Sequence, residues 1–242
     1  MTQLGIDAIR FVSQCSNKLD EVSMLRATPW IGRRAVLAGV AAAGTSLLLS
    51  GTRALSQTAR IATPPQTVGP FYPTEWRDDA DNDLVQVRGA ASKALGQVVH
   101  IEGRVLRVTG APIGNAAIEI WQCDDQGIYR HPQDEGGRRR RDNAFQGRGR
   151  TLTDVEGRYR FRTIRPVPYG SRTPHIHFKV VPPAGQLLIT QMYVFGEPLN
   201  GRDGVLGRIR DIRVRDSLIV RLEAADRLEP GALGGTFDIV LA

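Results

Sequence analysis

Gly157-Arg158-Tyr159-Arg160-Phe161-Arg162 alternates without a break, rings at 159 and 161 and arginines at 158, 160 and 162. Successive strand side chains point to opposite faces, so this run predicts a half-buried β-strand with Tyr159 and Phe161 in the core. The same period returns on either side of it. In residues 96–108 (GQVVHIEGRVLRV), Val99, Ile101, Gly103 and Val105 alternate with His100, Glu102 and Arg104, which places His100 on a polar face. Residues 117–123 (AIEIWQC), 187–195 (LLITQMYVF) and 236–241 (TFDIVL) bring the set to at least five strands. Turn signals at Thr109-Gly110-Ala111-Pro112, Glu156-Gly157 and Pro182-Pro183-Ala184-Gly185 separate them. Only residues 203–225 offer a helix, with mixed periodicity, and no internal repeat is present. The expected fold is all-β, a β-sandwich over residues 57–242, long enough to bury a core without disulfides.

Residues 1–56 read differently. Arg33-Arg34 precede an uncharged run of small and apolar residues over 38–51, followed by Ala54-Leu55-Ser56. A charged region, an apolar region of export length and a small-x-small site predict an export signal of the twin-arginine type, not a membrane span, with cleavage after Ser56 and Met24 an alternative start. The competing reading, a cytoplasmic protein with a buried apolar helix, lacks the 3.6-residue alternation. Export implies a periplasmic protein that leaves the cytoplasm folded, and no membrane contact in the mature form.

The chain holds 32 Lys/Arg and 25 Asp/Glu; the first 56 residues hold six and three of these, so 26 and 22 remain, a net +4. That excess is small and scattered, which argues against nucleic acid as a partner. The run Arg138-Arg139-Arg140-Arg141, flanked by Gly136, Gly137, Asp142 and Asn143, reads as a solvated loop. Of the two cysteines, Cys15 and Cys123, only the second lies outside the export segment, so no intramolecular disulfide is expected.

His175 and His177, in RTPHIHFKV, stand one residue apart. On a strand both imidazoles share a face and can reach one ion. Two polar residues on a solvent face would look the same. A three-histidine cupin-like site needs another histidine downstream, and none exists; zinc held by His131, His175 and His177 remains arithmetically open. Tyr129 and Tyr169 fall outside any inward strand register. Each reads either as a surface aromatic or as a hard phenolate ligand suited to Fe(III), two phenolates and two imidazoles balancing a ferric charge.

Residues 63–73 (TPPQTVGPFYP), 119–131 (EIWQCDDQGIYRH), 143–169 (NAFQGRGRTLTDVEGRYRFRTIRPVPY), 172–180, 187–199 and 236–241 together resemble the intradiol ring-cleavage dioxygenases, with the iron-bearing β subunit of the protocatechuate 3,4-dioxygenase branch the nearest pattern. The resemblance implies a non-haem Fe(III) enzyme that opens a catechol-type ring between its hydroxylated carbons with O2, giving a muconate-type diacid. It implies Tyr129 and His175 as equatorial ligands, and Tyr169 and His177 as axial ones, Tyr169 being displaced by substrate. It further implies that Arg172 stabilises the ketonised substrate, that Gln191 lines the oxygen and substrate pocket, that Trp121 forms a pocket wall, and that the chain works in an oligomer, which identical chains can form. His131 has no ligand role in that pattern. Two departures matter. The segment from Tyr169 to His175 is short and carries Ser171 where the protocatechuate enzymes place a tryptophan, which predicts an open mouth. Neither the N-terminal contact to a substrate carboxylate nor the helical segment of the catechol and hydroxyquinol enzymes has a counterpart. Against catalysis stands an exported β-sandwich that binds a metal or an aromatic ligand without turnover; Arg172 and Gln191 speak against it, since binding alone requires neither.

Overall fold

The alternation found in the sequence becomes two five-stranded sheets in the computed structural model, which describes residues 60–76 and 79–242. The export segment expected over residues 1–56 lies outside the described residues. The strands are β1 Val98–Arg107, β2 Ala117–Trp121, β3 Arg148–Leu152, β4 Arg158–Ile164, β5 His175–Val181, β6 Leu188–Val194, β7 Ile219–Val220, β8 Glu223–Ala224, β9 Leu233–Thr236 and β10 Ile239–Leu241. In the first sheet β1 is central: β4 runs antiparallel along one edge, while β9 and β10 run parallel to it, with β8 beside β9. The second sheet has the order β3-β2-β5-β6-β7.

The sheets share one apolar core. Val99, Ile101 and Phe161 come from the first, and Ile118, Ile120, Ile176, Phe178 and Met192 from the second. The Phe178 ring meets Tyr159 at 6.1 Å and Phe237 at 5.1 Å, edge to face, which joins the layers through ring packing favourable beyond area burial. Tyr159 is in the core as expected, its hydroxyl donating to the Phe237 carbonyl. His100 keeps to the polar face of β1, 3.5 Å from Glu229. All four arginines of the 138–141 run are exposed.

Two expectations need correction, and one strand was not foreseen. Residues 236–241 do not form one strand: the chain breaks between β9 and β10 at Phe237-Asp238. There the Asp238 carboxylate accepts from Arg104 N at 2.9 Å, and the Phe237 carbonyl crosses Gly103 so closely that a Cβ would lie 2.0 Å from it. Only glycine tolerates that approach. Residues 203–225 form no long helix. Two 3₁₀ turns, Pro198–Gly201 and Leu206–Arg208, and the five-residue α1, Ile212–Asp216, capped by Asp211, precede a return to strand at β7. The unforeseen strand, β3, gives no alternation signal of its own, because Arg148 and Gly149 are both buried and Gly149 lies where a Cβ would meet Leu84 and the Asp81 carbonyl.

Candidate metal centre

On β5 the period of two divides labour. Ile176, Phe178 and Val180 enter the core, while His175, His177 and Lys179 point to the other face of the sheet. Neighbouring strands continue the row: Trp121 of β2, His177 and Gln191 of β6 are register partners, as are His175 and Tyr193. This face is not solvated. His175 and His177 are buried beneath segments 66–72, 123–131 and 165–174, which excludes the solvent-face reading of the histidine pair.

The tyrosines arrive from two of those loops. Asp134 accepts from Tyr129 N at 2.8 Å and Asp124 accepts from Ile128 N at 2.9 Å, which fixes the loop after β2 and aims Tyr129 inward. Tyr169 opens a tight turn closed by Arg172 N donating to Tyr169 O at 2.8 Å and Tyr169 N to Arg172 O at 3.3 Å, with Gly170 at φ +56°. Tyr129 is therefore buried and packs, contrary to its expected lack of packing duty, with Phe71 stacked on it at 5.0 Å; Tyr169 stays half-buried at the entrance.

The structure brings all four expected donors together. Tyr129 Oη lies 3.1 Å from His175 Nε2. The His175 and His177 rings are 4.9 Å apart, Tyr129 and Tyr169 5.2 Å, and Tyr129 and His177 6.1 Å. His175 Nδ1 faces the Thr173 carbonyl at 2.7 Å, and since a carbonyl only accepts, Nδ1 carries the proton and Nε2 presents its lone pair to Tyr129. Trp121 stacks on His177 at 4.7 Å and 8°, supporting the ring from the side. Gly69, at φ +74°, presses on the same imidazole so closely that a Cβ would lie 3.2 Å from Cε1.

Electrostatics suit a metal. Burial, with help from the Arg172 guanidinium, lowers His175 to about 4. Burial, then His175 and Arg172, hold His177 well below its ordinary value. Both rings are thus neutral, the form that coordinates. Burial pushes the Tyr129 phenol far above its usual pKa and raises Tyr169 as well, so an ion binding here must displace phenolic protons, which a trivalent cation does. Among the described residues His177 Nδ1 is buried without a hydrogen-bond partner, and no three His, Cys, Asp or Glu side chains converge. The zinc alternative through His131 therefore does not form. His131 is a buried loop residue that packs edge-on against Phe71 at 5.5 Å. Two phenols and two imidazoles, hard anions and borderline nitrogens, fit Fe(III).

Arg172 and Gln191 also reach the site. Arg172 Nη2 donates to Gln191 Oε1 at 2.6 Å and to Tyr193 Oη at 3.3 Å, while Nε donates to Asp203 Oδ2 at 2.7 Å. Gln191 Nε2 donates to the Thr67 carbonyl at 2.9 Å. Sequence reasoning missed Phe71, Gly69, Tyr193 and Asp203. The first two sit in GPFYP, where a glycine before aromatics marks close packing; Asp203, in Gly-Arg-Asp-Gly, looks like an ordinary turn residue.

A family model described as Dioxygenase matches residues 67–242. The protocatechuate 3,4-dioxygenase beta chain of Burkholderia cepacia is 38% identical over 180 residues, 71% of this chain and 76% of that protein. The hydroxyquinol 1,2-dioxygenase of Corynebacterium glutamicum is 35% identical over 175 residues, 64% of this chain but 52% of that protein, so the chain spans about half of that longer relative. Among solved structures, the dioxygenase domain of a dioxygenase carbohydrate-binding protein fusion from the cellulolytic bacterium Streptomyces sp. SirexAA-E superposes with a TM-score of 0.58 at 28% identity, over 75% of this chain and 98% of that one. With sequence and fold agreeing over nearly all of residues 67–242, the chain belongs to the intradiol ring-cleavage dioxygenase family.

Proposed function

We propose that this chain is a non-haem ferric intradiol dioxygenase that opens a catechol-type ring, protocatechuate-like in its recognition pattern, between the hydroxylated carbons with O2. The observation that carries this reading is the convergence of Tyr129, Tyr169, His175 and His177 on one buried point beside a cation, Arg172, and an amide, Gln191. Those four side chains would hold Fe(III), whose Lewis acidity would draw electron density from a chelated catecholate.

The protein's own contribution is positional and electrostatic. His175 and His177 are kept neutral by burial and oriented by the Thr173 carbonyl and the Trp121 ring. Tyr129 is locked by Asp134 through its amide, whereas Tyr169 stands half-exposed on a turn, free to yield its place to an incoming oxygen. Arg172 holds positive charge where negative charge develops on the ring, a role worth most in a water-excluded site. Phe71 and Trp121 supply the apolar walls that exclude water. Ser171, small and exposed beside Tyr169, puts no bulky side chain at the entrance, which supports a reading in which substituted catechols are admitted.

Loading with Fe(III) tests this. The expected result is a wine-red protein with a tyrosinate-to-iron band, and stoichiometric O2 uptake with at least one of catechol, protocatechuate, hydroxyquinol or a bulkier catechol. Colourless protein holding stoichiometric zinc, inert toward all of them, would overturn it.

A further inference from the structure

Asp203 carries a buried carboxylate that ties Arg172 to the backbone of Thr173. It comes from the loop between the 3₁₀ turns, 30 residues beyond Thr173, and its side chain is 0% exposed. Each oxygen accepts twice. Oδ1 takes Val205 N and Leu206 N, both at 2.9 Å, which anchors the loop. Oδ2 takes Arg172 Nε at 2.7 Å and Thr173 N at 3.0 Å. The peptide unit it grips leads directly to the Thr173 carbonyl, which accepts from His175 Nδ1 at 2.7 Å.

A carboxylate with four donors on two oxygens has no remaining freedom, so the positions of Arg172 and Thr173 are set relative to one another. Burial alone would raise the Asp203 carboxyl, but the hydrogen bonds from Arg172, Leu206 and Thr173 outweigh it and leave the group ionised. Its anionic charge then does two things. It holds the guanidinium by Nε and turns Nη2 toward Gln191 and Tyr193, and through the Thr173 carbonyl it fixes the tautomer and tilt of an imidazole.

We propose that Asp203 is a positioning residue for the dioxygenase site, setting in one stroke the aim of Arg172 and the ring orientation of His175. This rests on the ferric reading above. It places no chemistry on Asp203 itself, which touches neither donor set nor substrate.

Asp203→Asn tests it, because the retained Oδ1 still serves Val205 and Leu206 while the charged contact to Arg172 and Thr173 is lost. The expected result is a kcat lowered tenfold or more with KM changed less than about threefold, a ferric affinity lowered about 10- to 100-fold, and a shifted tyrosinate-to-iron band in the loaded protein. Glu229→Gln, in the turn between β8 and β9, serves as the comparator for plain loss of stability, with band and kcat unmoved. Should Asp203→Asn fail to fold, Arg172→Lys asks the same question: it keeps the charge, loses the Nε anchor, and should lose kcat tenfold or more with its iron retained. Wild-type kcat, iron affinity and band in Asp203→Asn beside a lowered melting point, or wild-type kcat in Arg172→Lys, would make Asp203 a purely structural residue. A wild-type chain that takes up no ferric iron would sink the ferric reading and this inference with it.

Discussion

Two arginines with nearly equal exposure, one on strand β4 and one in the turn before β5, are paired in opposite ways. Arg162 of β4 has a side chain 23% exposed and meets Glu229 through Nε at 2.7 Å and Nη2 at 2.8 Å, and both oxygens of Asp83 through Nη1 at 2.9 and 3.0 Å. Arg172 has a side chain 20% exposed, meets one carboxylate, and gives Nη2 to the neutral oxygens of Gln191 and Tyr193. The first charge is cancelled twice over; its bonds raise its own pKa and lower that of Glu229, and the cluster is a clamp. The second is cancelled once; its field adds to the burial that lowers His175 and His177, and only partly opposes the burial that raises Tyr129. Burial does not distinguish the clamped arginine from the one at the candidate site. The supply of counter-charge does.

The largest effect should come from removing one of the four candidate donors beside the singly paired arginine. His175→Ala should leave iron below about a tenth of the wild-type content, since even outer partners of a ligand are worth 10- to 100-fold in affinity. Tyr169→Phe, on a half-exposed turn, should retain the larger share. Iron per chain by elemental analysis decides, and the reverse order would mean that Tyr169 and not the buried imidazole anchors the metal.

Next is Arg172→Ser. If the comparison holds, this variant keeps its iron, its colour and most of its substrate affinity, and loses about a hundredfold to a thousandfold in kcat. Steady-state kinetics on the loaded protein would break the contrast if only KM rose, for Arg172 would then be a binding residue.

The smallest effect belongs to the saturated cluster. Glu229→Gln should cost about 1 kcal/mol near pH 7, with kcat untouched. The sign follows from the depressed carboxyl of Glu229: its contribution is complete above the unfolded value of about 4.3 and fades as pH falls through the lower folded one. Urea midpoints of variant and wild type should therefore differ at pH 7 and converge as the pH falls below the depressed folded value of Glu229. A constant gap across that range would show that the stabilisation is not ionic.

Most of the fold was legible because one face of most strands is dry and the other wet, as at Tyr159 and Arg160. The reading failed where that contrast is absent. β3 buries Arg148 beside Gly149, and residues 236–241 carry an apolar pattern through a break that only the backbone of Gly103 and the side chain of Asp238 explain. The site was legible in parts. Spacing alone marked His175 and His177, but with both faces of β5 buried it left solvent face and metal site indistinguishable. Tyr129, Tyr169, Arg172 and Gln191 came from family resemblance, since no local pattern specifies which loop phenol turns inward. Asp203 was invisible for a stronger reason: a carboxylate returning to residues 30 positions earlier leaves no trace in periodicity.

The turn from Tyr169 to Arg172 is held at its base by two backbone hydrogen bonds, and at its tip Gly170 and Ser171 are exposed, with open space where a Cβ on Gly170 would lie. It is thus a splice point. Residues inserted there would project over the entrance while Tyr169 and Arg172, at the base, stay in register, and each doubling of such a loop costs only about 0.6 kcal/mol of closure entropy. A protein engineer could therefore alter the aperture by loop length alone, leaving the four convergent side chains of the candidate site in place.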